Sequence, residues 1–140
     1  MNVMPFATAV LAAATFFAVS ACGAQSRDGV LCGENERPVA GPVFIEIGLD
    51  GDTPSAKPKL CNVLPNAQVS WISTARPFVL SFKTSNPGGS KLPRNPASSP
   101  SNGKQMIRVN AAAPLGQYDY GITIDGKTVD PAIIIKKAQQ

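Results

Sequence analysis

The chain contains no histidine in its 140 residues. Histidine is the usual general base at neutral pH, a member of most catalytic triads and the commonest metal ligand in proteins. The absence of histidine excludes catalytic triads that contain histidine and metal sites that use histidine ligands. An enzyme with this sequence would have to use carboxylate or lysine side chains instead. We therefore expect no catalytic residue, no bound metal and no cofactor.

Charged side chains are absent from the beginning of the chain. All 13 Lys and Arg and all 9 Asp and Glu come after Cys22, and the stretch from Phe6 to Val19 is almost wholly apolar or small. A membrane-spanning helix needs about 20 apolar residues, so this run is too short to cross a bilayer. It is typical of a signal peptide, although the terminal amine alone supplies the positive charge at its start. We predict that residues 1–21 are a signal peptide and that the protein is exported.

The apolar run ends in Val19-Ser20-Ala21-Cys22, which resembles the lipobox of bacterial lipoproteins. The resemblance implies cleavage before Cys22, a diacylglycerol on its thiol and an acylated amino group, which together anchor a protein to a membrane. Gly23 stands where many lipoproteins held in the inner membrane have aspartate, which implies the outer membrane in a Gram-negative host. Ordinary secretion, with cleavage after Ala21 or Ala24, is the alternative.

Cysteine is scarce, and the 3 residues present are an odd number for an exported protein. Lipidation of Cys22 would leave Cys32 and Cys61, whose spacing is far from the C-x-x-C pattern of redox and metal sites. We predict a structural disulfide between them, worth about 3–4 kcal/mol because it closes a loop of roughly 30 residues. The polar segment 22–41 is interpreted as a lipid-anchored tether, and residues 42–140 as one folded domain.

The basic excess is modest, with a formal net charge of +4. It favours anionic neighbours such as envelope polymers or acidic proteins, and it is equally an ordinary solubility charge. Nucleic-acid binding requires a denser basic patch interleaved with aromatic residues, so we expect no nucleic-acid partner. Lys91, Arg94 and Lys104, near a long loop, are the candidate recognition surface.

Apolar and polar residues alternate in several short runs, and no convincing helix is present in the exported part. The alternation predicts one packed face in each of three runs: Ile45, Ile47 and Leu49; Phe78, Leu80 and Phe82; and Tyr118, Tyr120, Ile122 and Ile124. Asp125-Gly126 predicts a type I′ hairpin turn near the end of the chain, and Asp130-Pro131 predicts a bulge or a break in the returning strand. About seven strands without a helix predict a single antiparallel β-sandwich. The predicted strands are residues 43–49, 60–64, 68–74, 78–83, 105–110, 118–124 and 127–135.

Proline, glycine, serine and asparagine fill residues 84–103, where the strand alternation is missing. Long loops inside a compact domain are uncommon, and they are usually functional or disordered. Because few apolar residues are present to order this segment, we interpret it as a mobile surface loop without strands. A recognition role for the loop is the alternative.

Over roughly residues 63–136 the chain resembles a cupredoxin. The resemblance is carried by Val69-Ser70-Trp71-Ile72-Ser73, Phe78-Val79-Leu80-Ser81-Phe82, Gly116-Gln117-Tyr118-Asp119-Tyr120 and a hairpin that ends in Ile133-Ile134-Ile135. Type 1 copper needs two histidines and a cysteine, but histidine is absent and Ile122 stands at the cysteine position. The resemblance therefore implies a copper-free, cupredoxin-like β-sandwich, with an immunoglobulin-like sandwich as the alternative.

The sequence favours a membrane-anchored, non-catalytic envelope lipoprotein that acts as a binding or structural module. Its partners would be the membrane, through the lipid on Cys22, and envelope proteins or anionic envelope polymers. The alternative is a periplasmic module that binds a small ligand or a metal ion without type 1 copper chemistry. An enzyme that uses Asp50 and Asp52 is a third hypothesis, although a solvated turn explains these two residues better.

Overall fold

The computed structural model describes residues 28–33 and 37–138, which form strands and one short 3-10 helix. No α-helix occurs in these residues, so none there has the length and apolar character needed to cross a bilayer. The described part of the chain is therefore all-β, as predicted. The 3-10 helix is Gly89–Lys91, and the strands are β1 (Val30–Leu31), β2 (Val43–Asp50), β3 (Thr53–Lys57), β4 (Leu60–Val63), β5 (Gln68–Ser73), β6 (Val79–Phe82), β7 (Ser99–Ser101), β8 (Lys104–Asn110), β9 (Gly116–Ile124), β10 (Lys127–Val129) and β11 (Ala132–Ile135).

The strands form two sheets. The first has the order β1-β2-β5-β8-β7 with β3 also paired to β2, and the second has the order β10-β9-β11-β4 with β6 also paired to β9. Both sheets are mixed, because β2 runs parallel to β1 and β5, and β4 runs parallel to β11. The fold is sandwich-like, but the purely antiparallel arrangement of about seven strands is not confirmed.

The parallel pairs arise from the path of the chain between the sheets. After β2 and β3 the chain enters the second sheet as β4, and then returns to the first sheet as β5. Apolar alternation indicates which side of a strand is buried, but not the direction of the neighbouring strand. Three strands, β1, β3 and β7, are additional to the prediction, and the predicted strand 127–135 is divided into β10 and β11. Strands β1 and β7 are only 2 and 3 residues long, too short to show a period, and β3 begins with Thr-Pro-Ser, which are turn-type residues.

Both sheets contribute side chains to one hydrophobic core. Ile45 and Ile47 of β2 are buried as predicted, whereas Leu49, next to the β2–β3 turn, is 40% exposed. Alternate residues of β6 and β9 supply the opposite side of the core, which confirms the predicted faces of these two strands. The buried residues from this part of the chain are Phe78, Leu80, Phe82, Tyr118, Tyr120, Ile122 and Ile124.

The C-terminal hairpin also follows its prediction. Asp125 and Gly126 both have positive φ, which is the requirement of a type I′ turn. Strands β10 and β11 pair with β9 in one continuous register, from Lys127 opposite Ile124 to Ile135 opposite Gly116. The Asp130-Pro131 interruption separates the two returning strands, at the position where the sequence predicts a bulge or a break.

The proline-rich segment 84–103 is more ordered than its composition predicts. The backbone N–H groups of Leu80 and Phe82 donate to the carbonyls of Pro96 and Arg94 at 3.0 and 3.1 Å, so the segment covers the free edge of β6. The prediction of a loop without strands is wrong at β7, which forms a hairpin with β8. The Asn102-Gly103 turn of this hairpin has positive φ at both residues, but the flanking Ser-Pro-Ser run lacks apolar alternation.

The predicted disulfide between Cys32 and Cys61 is present, with an S–S distance of 2.03 Å and a Cα–Cα distance of 5.8 Å. Cys32 follows β1 of the first sheet, and Cys61 lies in β4 of the second sheet. Both residues are buried in the common core. The bond therefore links the two sheets covalently as well as closing a loop of the chain.

Three aromatic rings meet in the middle of the core. The ring centroids of Trp71 lie 6.2 Å from Phe82 and 5.7 Å from Tyr120, both in edge-to-face arrangements that favour aromatic packing. The Trp71 Nε1 and Tyr120 Oη atoms are buried and have no hydrogen-bond partner among the described residues. Burial raises the pKa of the Tyr120 hydroxyl, and the nearby Trp71 indole offsets this only partly.

Removal of the disulfide should lower stability without changing the two-sheet fold. We expect the Cys32→Ser/Cys61→Ser variant to lose about 3–4 kcal/mol of unfolding free energy, because its unfolded chain is no longer closed into a loop. Urea unfolding of oxidised wild type, reduced wild type and the double variant measures the loss. Reduced wild type should match the double variant, and equal stabilities of oxidised and reduced protein would contradict the prediction.

The two tyrosines of β9 should respond oppositely to the loss of their hydroxyls. Tyr118 donates to the carbonyl of Pro114, so Tyr118→Phe should lower the unfolding free energy by about 1 kcal/mol. Tyr120→Phe removes a buried hydroxyl without a hydrogen-bond partner in the described structure, so stability should be unchanged or higher. Urea unfolding compares the two variants, and a larger loss for Tyr120→Phe would refute this assignment.

Candidate ligand-binding pocket

A pocket of about 420 Å³ lies on the outer face of the first sheet, away from the common core. The segment that includes β1 forms one wall, and the other lining residues come from β2, from β5 with the residue that follows it, and from β8. Apolar and charged side chains both contribute to the surface, which is typical of small-ligand sites. The lining residues are Asp28, Phe44, Glu46, Ile72, Thr74 and Lys104.

Strand alternation places these side chains on the outer face. In β2, Phe44 and Glu46 alternate with the core residues Val43, Ile45 and Ile47. The strand register places Phe44 in a row across the sheet with Ser70 and Arg108. It places Glu46 in a second row with Ile72 and Met106. The sheet thus sets an apolar ring, a carboxylate and a buried aliphatic side chain side by side.

Asp28 is fixed above this face by two cations from β8. Its Oδ1 atom lies 2.6 Å from Arg108 Nη2, and its Oδ2 atom lies 3.6 Å from Lys104 Nζ. Arg108 Nε also donates to the hydroxyl of Ser70 at 3.0 Å, which fixes the guanidinium on the sheet. The Asp28 side chain is 13% exposed, so these contacts compensate a carboxylate that is largely removed from water.

Residues 28–33, which we call the N-terminal strap, lie tightly against the first sheet. Gly29 has a positive φ of 84°, and a Cβ atom there would lie 1.8 Å from the carbonyl oxygen of Pro42. The same carbonyl accepts a hydrogen bond from the N–H of Val30 at 3.2 Å. Only glycine allows this approach, and the strap is held at its other end by the disulfide of Cys32.

The charges of the pocket are unevenly compensated. Glu46 is exposed, and its carboxylate has no ion pair or hydrogen bond within the described residues. Lys57 is its register partner on β3, but no ion pair joins the two side chains in that structure. Asp28, in contrast, has both Arg108 and Lys104 within ion-pair distance. The pocket therefore contains the Glu46 carboxylate, which has no ion-pair partner among the described residues, and the Lys104 ammonium, which also contacts Asp28.

The three residues of the predicted recognition surface do not form one cluster. Lys104 lines the pocket, whereas Arg94 donates to the backbone carbonyls of Phe82 and Lys83 and so fixes the loop to β6. Lys91 is exposed in the 3-10 helix. A recognition role for these residues stays a prediction, and Lys104 alone is placed at the pocket. The lipidation site Cys22 lies outside the described residues.

The acidic turn also differs from a metal site. Asp52, in the turn between β2 and β3, makes an exposed ion pair in which its Oδ2 atom lies 3.7 Å from Lys127 Nζ. Asp50 is the last residue of β2. Among the described residues, no group of three or more His, Cys, Asp or Glu is placed to hold a metal ion. The two aspartates are described adequately as residues of a solvated turn.

Sequence reasoning missed most of the pocket. Asp28 falls in the segment predicted as a tether, but β1 places part of that segment in the first sheet. Glu46 has a signal in the sequence, because it occupies an outward position of a predicted strand. Asp28 and Arg108 are separated by 80 residues, and no local pattern indicates that they meet.

Comparisons with known proteins leave the family open. No protein-family model and no curated protein matches the chain.

Neutralisation of Asp28 should loosen the strap while the core stays folded. A hydrogen bond to a charged group contributes about 1.5–3 kcal/mol, so Asp28→Asn should speed amide exchange at Val30 and Cys32 by roughly 10-fold to 100-fold. Hydrogen exchange followed by NMR measures these two amides.

Asp52→Asn is the matched control, because its ion pair with Lys127 is exposed and should contribute little. Its exchange rates at Val30 and Cys32 should equal those of wild type. Unchanged exchange in Asp28→Asn would show that the carboxylate does not hold the strap.

Proposed function

We propose that the protein is a non-catalytic, exported module of a bacterial cell envelope, anchored through lipid on Cys22 and facing the periplasm from the outer membrane in a Gram-negative host. The observation that carries this proposal is the buried Cys32–Cys61 disulfide. Structural disulfides form and persist mainly in oxidising compartments outside the cytoplasm. This agrees with a signal peptide at residues 1–21 and leaves Cys22 for the lipid.

The N-terminal strap supports the anchoring role. Asp28 is held on the first sheet by Arg108, close to the proposed anchor in the sequence. The segment from Cys22 to Asp28 spans at most about 20 Å when fully extended. An anchored protein would therefore remain close to the membrane, within reach of lipid head groups, envelope proteins and anionic polymers.

We propose a copper-free cupredoxin-like sandwich as the fold. Its support is the mixed character of both sheets, because immunoglobulin-type sandwiches are built from antiparallel sheets. The three runs that carry the resemblance lie on β5, on β6 with the preceding residue, and on β9. Ile122, at the cysteine position of the copper proteins, is a fully buried core residue.

The second candidate function is the binding of a small periplasmic ligand, without type 1 copper. The pocket favours it, because its volume of about 420 Å³ and its mixture of apolar and charged side chains suit a small molecule. The two functions are compatible, since the pocket lies on the module and the anchor precedes it. They are also separable, because loss of the lipid would leave the pocket intact.

Anchoring through Cys22 makes a direct prediction about fractionation. Expressed in a bacterial host that processes lipoproteins, wild type should sediment with membranes, and its intact mass should show cleavage before Cys22 plus the acyl chains. Cys22→Ser should move to the soluble fraction, because the thiol that receives the lipid is gone.

The Cys32→Ser/Cys61→Ser variant is the control, since it keeps Cys22 and should stay with the membranes. A soluble, unacylated wild type that starts after Ala21 or Ala24 would overturn the anchor. Such a result would leave ordinary secretion as the explanation of the signal peptide.

A further inference from the structure

The pocket has a carboxylate at one end and an ammonium group at the other. Glu46 is exposed on β2, and its carboxylate makes no ion pair or hydrogen bond with any other described residue. Phe44 and Ile72 lie beside it and supply an apolar surface. A positively charged group bound at Glu46 would therefore rest next to an aromatic ring, an arrangement that attracts cations.

Lys104 is able to bind an anion in addition to its contact with Asp28. Arg108 lies 2.6 Å from the Asp28 carboxylate, whereas Lys104 lies 3.6 Å from it. The closer guanidinium supplies the charge-assisted hydrogen bond that compensates Asp28. The Lys104 ammonium has three donors and a side chain that is 42% exposed, so donors remain for a ligand carboxylate.

Sheet geometry sets the distance between the two ends. Glu46 is in register with Ile72 and Met106, and Lys104 precedes Met106 by two positions on β8. Strand spacing and rise place the Cα atoms of Glu46 and Lys104 about 12 Å apart. The Glu46 carboxylate and the Lys104 ammonium make no ion pair with each other in the described structure, so the two charges are separated and suit a ligand whose own charges are separated.

We propose that this pocket binds peptides of two or three residues that have free amino and carboxyl ends and an apolar side chain. The peptide ammonium binds Glu46, its carboxylate binds Lys104, and the apolar side chain packs on Phe44 and Ile72. Lys57 of β3 lies opposite Glu46 in the strand register but makes no ion pair with it. The positive charge of Lys57 therefore partly offsets the charge of Glu46, while the Glu46 carboxylate stays available to a ligand. The inference rests on the small-ligand candidate function and does not depend on the lipid anchor.

Isothermal titration calorimetry of the full exported protein tests the two charged contacts separately. The probes are trileucine, N-acetyl-trileucine and trileucine amide. We expect trileucine to bind, and each blocked peptide to bind at least 10-fold more weakly. Equal affinities of the free and blocked peptides would overturn the proposal.

Two variants assign each peptide end to a residue. Glu46→Gln should abolish the preference for the free amino end and keep the preference for the free carboxylate, and Lys104→Gln should do the reverse. Asp50→Asn is the control, because it removes an exposed carboxylate from the same strand outside the pocket and should bind as wild type does. Preferences unchanged in both pocket variants would refute the assignment.

A fourth probe, phosphoethanolamine, separates peptides from lipid head groups, because it carries an ammonium and an anionic phosphate without an apolar side chain. Binding of phosphoethanolamine in place of trileucine would overturn the peptide class while keeping a zwitterion pocket. Binding of neither probe would overturn the pocket as a zwitterion site. Neither result bears on the anchor, which membrane fractionation of Cys22→Ser measures independently.

Discussion

The attachment of the N-terminal strap to the first sheet is the constraint on which the candidate site depends. The Asp28–Arg108 ion pair holds one end of the strap, and the Cys32–Cys61 disulfide holds the other. Between them, Gly29 allows the backbone to approach Pro42 more closely than any side chain would permit. Because Asp28 lines the pocket, undocking of the strap would remove one of its walls.

The two attachments act on different states of the chain. The disulfide stabilises mainly by restricting the unfolded ensemble, so it contributes to the stability of the whole domain. A largely buried ion pair contributes little net stability, because desolvation offsets much of the attraction, yet loss of one partner leaves an uncompensated charge. Asp28 and Arg108 therefore fix where the strap lies, while the shared hydrophobic core and the disulfide determine whether the domain folds.

Local signals account for what the sequence predicts well. The β9–β10 hairpin has both alternation and an Asp125-Gly126 turn, and the burial of Phe78, Leu80 and Phe82 follows from period two alone. Parallel neighbours and the Asp28–Arg108 pair depend on contacts between distant segments, which no window of sequence contains. The short strand β7 escaped prediction because packing against β8, rather than side-chain pattern, orders it.

The proposed peptide and the docked strap share Lys104, so peptide binding would be coupled to strap docking. If a ligand binds only when the strap is docked, it stabilises the docked strap by the same factor by which docking strengthens binding. At this end of the strap, the ion pair of Asp28 with Arg108 is the contact that undocking breaks. A tether that leads from Asp28 toward a membrane would transmit any pull to this same contact. Tension on the anchor would then weaken the pocket, and an occupied pocket would resist that tension.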